Sequence, residues 1–226
     1  MTPEHAYDIL ENDHNHKDRE SLEHTIGSDA KWSYEYAINV IGGRWELGED
    51  AISKDAEYSF WYAEQVIKGR FILGEDAISK DAFASYEYAC VVIEGRFHLG
   101  EAAICKDAWE SYHYAKNVIG GRFELGEDAI SKDAEYSFWY AKHVIKGNWT
   151  PELAVMCPCW LFFYAKDVSK GRLPKTMHNK MLVFGMIDSS DKYVKKYLGS
   201  KKYCTLKGKD TKHDSRNSVF YFRKRS

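Results

Sequence analysis

The seventeen residues from Leu47 to Ala63, LGEDAISKDAEYSFWYA, return unchanged from Leu125 to Ala141. Diverged copies of the same pattern run between and around them. The most constant mark is a Tyr-Ala pair whose tyrosines, Tyr36, Tyr62, Tyr88, Tyr114 and Tyr140, stand 26 residues apart, with a further copy at Tyr164 after 24. A fixed short period restricts the fold severely. One such unit buries too little apolar surface to fold alone, so each must lean on the next and the chain must form a stack with nearest-neighbour contacts. Copying also occurred at a second level. The residues NVIGGR from Asn39 to Arg44 recur from Asn117 to Arg122, 78 residues on, at the same offset as the seventeen-residue blocks. Three units were duplicated together.

With residues 46–71 as one unit, the others are 20–45, 72–97, 98–123, 124–149 and a shortened 150–173. The spacing predicts two helices per unit, a short one over Leu47 to Ser53 and a longer one over Ala56 to Lys68. Asp55 stands where a carboxylate caps the longer helix, and Asp29, Asp81, Asp107 and Asp133 repeat it. Gly69 stands where a left-handed residue ends that helix, with Gly43, Gly95, Gly121, Gly147 and Gly171 in step. Within the longer helix the constant positions are Ser59, Tyr62, Ala63, Val66 and Ile67. Their spacing of i, i+3, i+4, i+7, i+8 marks one helix face and predicts a buried stripe. Ile52, Ile78, Ile104 and Ile130 meet it from the short helix. The expected fold class is therefore mainly α: an α-solenoid of about six 26-residue helical-hairpin repeats.

Arg44, Arg70, Arg96, Arg122 and Arg172 follow the glycine, and Glu49, Glu75, Glu101 and Glu127 follow the first four of them by five residues. An arginine ladder can hold phosphates. Because the acids recur as faithfully as the arginines, pairing within the scaffold is the expected role. The positions that change freely, at 57, 61, 64 and 68 of the unit, fall opposite the buried stripe. They place Glu57, Trp61, Phe83, Trp109, His113, Glu135 and Trp139 on an outward face as candidate partner-binding residues, since tryptophan is a frequent interface anchor. Packing of those aromatics between flanking helices is the alternative.

The formal net charge of −2 hides a split. Residues 174–226 carry 14 Lys or Arg against 4 Asp, a charge of +10, and the rest of the chain carries 18 against 30, or −12. The chain thus divides into an N-terminal cap (1–19), the repeat stack (20–173) and a basic C-terminal subdomain (174–226). That subdomain is expected to be a small α+β region, with strands at Met181 to Ile187, Tyr203 to Leu206 and Val219 to Phe222. Its Lys192, Lys195, Lys196, Lys201, Lys202, Arg223 and Arg225 suit a nucleic-acid backbone or an acidic protein surface. The acidity of the stack itself favours a protein over a polyanion there. His5, His14 and His16 lack a second ligand pair at metal-site spacing, and Cys157-Pro-Cys159 has no partner pair. No Ser/His/Asp set, phosphate loop or metal quartet has usable spacing, so a non-enzymatic role without cofactor or metal is expected. A cleft lined by His98, His113 or His143 beside shifted acids would be the sign of an enzyme. MTPEHAYD shows no signal peptide, the longest apolar stretch, 153–165, is too short to span a bilayer, and five cysteines without framework spacing fit the cytoplasm.

The Tyr-Ala, Val-Ile, Gly-Arg-Phe/Trp and Gly-Glu elements over residues 20–173 resemble a repeat of the form "YA..VI.GRW..GE..I..D" in uncharacterised proteins of tailed bacteriophages. A weaker likeness is to Sel1-type helical repeats, whose period is longer. The phage resemblance carries no activity. It implies an accessory protein in the cytoplasm of an infected bacterium, one that engages or inhibits a host defence factor. The expected function is thus a protein-binding repeat scaffold with a host or phage protein as partner and scope for homo-oligomers. Nucleic-acid binding through 174–226, or capture of a small molecule or nucleotide between units, are the alternatives.

Overall fold

A computed structural model describes residues 1–147 together with Trp149, Trp160, Phe163, Tyr164, Asp167 and Val168. These residues are mainly helical, with no strand among them. Helix α1 (Pro3–Asn12) opens the chain. Each unit then supplies a short helix and a second helix: α2 (Arg19–Ile26) and α3 (Ala30–Tyr36), α4 (Glu46–Ile52) and α5 (Ala56–Trp61), α6 (Glu75–Ile78) and α7 (Ala82–Glu87). α8 (Glu101–Ile104) and α9 (Ala108–His113), then α10 (Glu127–Lys132) and α11 (Ala134–Tyr140), continue the series. The second helices touch one another in the order α3, α5, α7, α9, α11, and each short helix from α4 to α10 packs on the second helix before it. Two rows result, one of short helices and one of second helices.

The aspartate caps form as the sequence predicts. Asp29, Asp55, Asp81, Asp107 and Asp133 each accept a hydrogen bond from a backbone N–H in the first turn that follows. The other end of the second helix differs from expectation. The α-helical winding stops at residue 61 or 62 or their equivalents, and the last turns are π-helical at Ala37–Ile41, Tyr62–Ile67, Tyr88–Ile93, Tyr114–Ile119 and Ala141–Ile145. The β-branched Val-Ile pairs, which are poor α-formers, fall in these turns. The left-handed residue is therefore not Gly69 but Lys68, with φ of 56°, and its equivalents are Gly42, Glu94, Gly120 and Lys146. The wider winding closes the turn one residue sooner. The N–H groups of Lys68 and Gly69 then both reach the carbonyl of Ala63.

The predicted stripe is buried where it meets the neighbouring unit. Ser59, Tyr62 and Ala63 have no solvent exposure, whereas Val66 and Ile67 are half-buried. Ser59 donates to the carbonyl of Ile52 at 2.7 Å, and Ser33, Ser85, Ser111 and Ser137 repeat the bond to the isoleucine seven residues earlier. A glycine of the next unit lies directly over each of the first four of these serines: a Cβ on Gly74 would stand 2.6 Å from that of Ser59, and one on Gly48 would stand 2.7 Å from that of Ser33. Small residues thus set the distance between units. One buried position escapes the identity pattern. Tyr34, Phe60, Tyr86, Tyr112 and Phe138 are all buried, because the second helix is flanked by a unit on each side. The hydroxyl of Tyr34 donates to Gln65, that of Tyr86 accepts from Asn117, and that of Tyr112 pairs with His143, each partner 31 residues on. The residue 31 positions after Phe60, which has no hydroxyl, is Val91.

Helix α1 seals the first unit. Ala6, Tyr7 and Leu10 are buried, Tyr7 packs on Trp32, and the Tyr7 hydroxyl accepts from Asn39. The structural expectations for 174–226, including its strands, together with Gly171, Arg172, Cys157 and Cys159, lie outside the described residues.

Candidate interaction surfaces

The constant charges of the repeat build its joints. Glu75 is buried and accepts two bonds from the exposed Arg70, at 2.7 and 2.8 Å, and a third from Tyr88 at 2.9 Å. The same Tyr88 oxygen accepts from the backbone N–H of Phe71 at 3.0 Å. Arg44–Glu49–Tyr62, Arg96–Glu101–Tyr114 and Arg122–Glu127–Tyr140 repeat the arrangement. The first unit achieves it with Arg19, Glu23 and Tyr36. At Tyr164 the hydroxyl accepts from the N–H of Trp149 and donates to its carbonyl. The tyrosine rings from Tyr36 to Tyr140 also pack edge-on against the aromatic that ends their own unit, as Tyr62 does on Phe71 and Tyr88 on Phe97. The guanidiniums of Arg44, Arg70, Arg96 and Arg122 are thus held bidentate by the carboxylates five residues on, which is the scaffold role. Burial pulls Glu101 and Glu127 towards the neutral form, but the hydrogen bonds from Arg96 with Tyr114, and from Arg122 with Tyr140, outweigh it and hold both below the usual carboxylate value.

The tyrosines carry the opposite shift. Burial first, and then the carboxylate each one touches, pushes Tyr36 up to about 12; burial, with smaller contributions from the same kind of partner, pushes Tyr62 and Tyr88 up to about 12 and Tyr114 and Tyr140 further. A raised folded-state value means that the proton is held more tightly when folded. The stabilisation is complete below the unfolded value near 10 and lost as pH rises through about 12. Tyrosinate absorbance and loss of helical circular dichroism are therefore expected to appear together, above pH 10. Ionisation of all sixteen tyrosines near 10 with helicity intact would contradict this.

The second-helix face holds the candidates named from sequence, but not as freely displayed aromatics. Trp61, Trp109 and Trp139 are half-buried, because neighbouring helices in the row clasp them. Trp61 lies against Tyr34 of the preceding unit and Tyr58 of its own, Trp109 against Tyr86 and His113, and Trp139 stacks on His143 with centroids 5.0 Å apart. Phe83 is half exposed, and Glu57 and Glu135 are exposed. His113 and His143 share this face near Tyr112, and burial, with the charge of Lys116, pulls both below the ordinary histidine value. His98 stands on the other row beside Glu101. The most shifted acid is Glu110, raised to about 7 by burial and by its hydrogen bond to Asp107. It belongs to the first turn of α9, where Asp107 is the cap. The three histidines and the shifted acid are thus divided between the two rows.

The row of short helices presents a feature that the sequence reading passed over. Leu73, Leu99 and Leu125 are each 61% exposed and Leu47 is 42% exposed. They occupy one position in four successive units. Ile72 is exposed beside Leu73. Exposed ion pairs, Lys54–Asp50, Lys80–Asp76 and Lys132–Asp128, flank the leucines. Next to Leu125 a groove runs between units, lined by Cys105, Ala108 and Ala129. The recurrence of leucine every 26 residues, five positions before the buried Ile52 and its equivalents, was the available signal. The basic candidates Lys192, Lys195, Lys196, Lys201, Lys202, Arg223 and Arg225 lie outside the described residues.

No group of three or more metal-ligating side chains exists among the described residues, and no helix there is long and apolar enough to cross a membrane. A scan against protein-family models gives no match, and comparisons with curated proteins and with solved structures give no significant one.

Proposed function

We propose that the chain is an α-solenoid of about six 26-residue units and that it serves as a non-enzymatic scaffold for binding another protein. The observation that carries this reading is the row of exposed leucines, Leu47, Leu73, Leu99 and Leu125. The other large constant apolar residue of this segment, Ile52 and its equivalents, is fully buried, so packing of the fold accounts for those and not for the leucines. A periodic apolar strip bordered by paired charges has the anatomy of a protein interface, with a dry centre and a polar rim. The repeat resemblance assigns the partner to a bacterial host, with a phage accessory protein as its binder.

Leu73→Glu combined with Leu99→Glu tests the reading. Both sites are exposed, so the unfolding free energy is expected to change by no more than about 0.5 kcal/mol. Immobilised chain should retain a stoichiometric protein from bacterial lysate, and the double variant should lose it. A partner held equally by both would overturn the leucine row as the contact surface.

A further inference from the structure

The second-helix face is electrostatically polarised along the stack. At the two central variable positions of each unit the residues are Glu35 and Ile38, Trp61 and Glu64, Glu87 and Cys90, then His113 and Lys116, Trp139 and Lys142. At these two positions the acids fall in the first three units and the bases in the last two; with Lys31, Glu57, Lys68, Glu94, Glu135 and Lys146 at the edges included and histidine neutral, the five units carry 0, −1, −2, +1 and +1. Glu64 and Glu87 lie near enough to interact, and that neighbour, together with burial, raises Glu87. At the basic end Lys116 sits over the ring of Tyr112, and Lys142 sits over Phe138 and Trp139 while pairing with Asp167 at 2.8 Å. The Arg–Glu–Tyr joints repeat from Tyr62 to Tyr140 on both sides of this boundary, so they do not require this separation of charge.

We infer that this face pairs with a second copy of the same face in an antiparallel homodimer, its two-fold axis passing between the third and fourth units. That operation brings the third unit of one chain onto the fourth of the other, and the second onto the fifth. Glu87 then faces His113, Glu64 faces Lys142, Phe83 faces Trp109 and Trp61 faces Trp139. The two identical seventeen-residue blocks become partners across the axis, and equal spacing of the units keeps every pair in register. The interface is isologous, as a two-fold demands. Glu57 meets Glu135 at one exposed edge and Lys68 meets Lys146 at the other, where solvent screens both pairs. Four second helices, about 18 Å long for twelve residues and set about 8–10 Å apart, cover roughly 600–700 Å² per chain, close to the ~800 Å² per partner of a standard interface. The leucine row lies on the other row of helices and stays free for a different partner.

The test is a charge exchange in the full chain. One variant carries Glu64→Lys and Glu87→His, and the other carries His113→Glu and Lys142→Glu. Each substitution copies a residue that another unit already holds at the same position; Lys142→Glu also gives up the pair with Asp167, so circular dichroism of each variant is compared with that of the unaltered chain. The unaltered chain is expected to sediment as a dimer. Each variant alone should self-associate at least about tenfold more weakly, because a lysine at 64 then faces Lys142 in the first, and glutamates at 113 and 142 face Glu87 and Glu64 in the second. An equimolar mixture of the two should recover the dimer, as a heterodimer. A monomeric unaltered chain, a dimer indifferent to the substitutions, or variants that fail to recombine would each overturn the proposal. None of these outcomes bears on capture of a partner by the leucine row.

Discussion

Gly74→Ala is expected to destabilise the chain by about 3 kcal/mol, at the upper end of what overpacking usually costs. The added methyl would stand 2.5 Å from the hydroxyl of Ser59 and 2.6 Å from its Cβ and from the Phe71 ring. None of these neighbours can retreat cheaply. Ser59 is tied to the Ile52 carbonyl on a fully buried helix face, and Phe71 is 2% exposed against Tyr62. The damage falls on the joint between the second and third units, so its form is as informative as its size. In a linear stack, stability is the sum of unit and interface contributions, and a weakened interface divides one cooperative transition into two. Denaturant unfolding of the variant should broaden or split, with a smaller apparent m-value. Ser59→Gly added to Gly74→Ala restores the space and should recover much of the loss, offset by a glycine in a helix and a missing hydroxyl. A single variant that unfolds like the original would mean that the units are not spaced by this contact.

How far the sequence disclosed this structure depends on how local each interaction is. Asp55 and its equivalents were legible as caps because a cap involves only the following turn. Ser59, Tyr62 and Ala63 were legible because helical periodicity marks a buried face, and the Arg–Glu pairs because both partners recur together. The π-helical turn after Trp61 was not legible. A shift of hydrogen bonding from the fourth to the fifth preceding carbonyl leaves no residue signature, and so the left-handed position was assigned to Gly69 instead of Lys68. Phe60 was missed for a different reason. Its position alternates between Tyr and Phe, so identity across copies hid a constant aromatic that the flanking units bury. The half-burial of Trp61 has the same origin, since which side a neighbouring unit occupies is a tertiary fact. Leu73 shows the converse case: it recurs as faithfully as Ile78, and only its exposure separates the two.

Tyr88→Phe removes a single oxygen and is expected to cost about 3 kcal/mol. That oxygen makes two buried bonds, accepting from the Phe71 N–H and donating to Glu75. Phenylalanine fills the same space, so no cavity forms and the loss is electrostatic. One buried N–H is left without an acceptor, and a carboxylate held by three donors keeps two, both from Arg70, whose side chain is 54% exposed. Two internal comparisons isolate the cause. Tyr62→Phe should cost a similar amount, because its joint has the same bonds to Trp45 and Glu49. Tyr164→Phe should cost less, since that hydroxyl donates to the neutral carbonyl of Trp149. Tyr58→Phe, at a half-buried ring on the variable side of the helix, should stay within about 0.5 kcal/mol. Chemical denaturation of the four variants at neutral pH measures the series. The tyrosine joint would lose its place as the main polar lock between units if Tyr88→Phe and Tyr58→Phe proved equally mild. If the expected order holds, the Tyr-Ala pair keeps its 26-residue recurrence because each hydroxyl fastens two units at a point that solvent cannot reach.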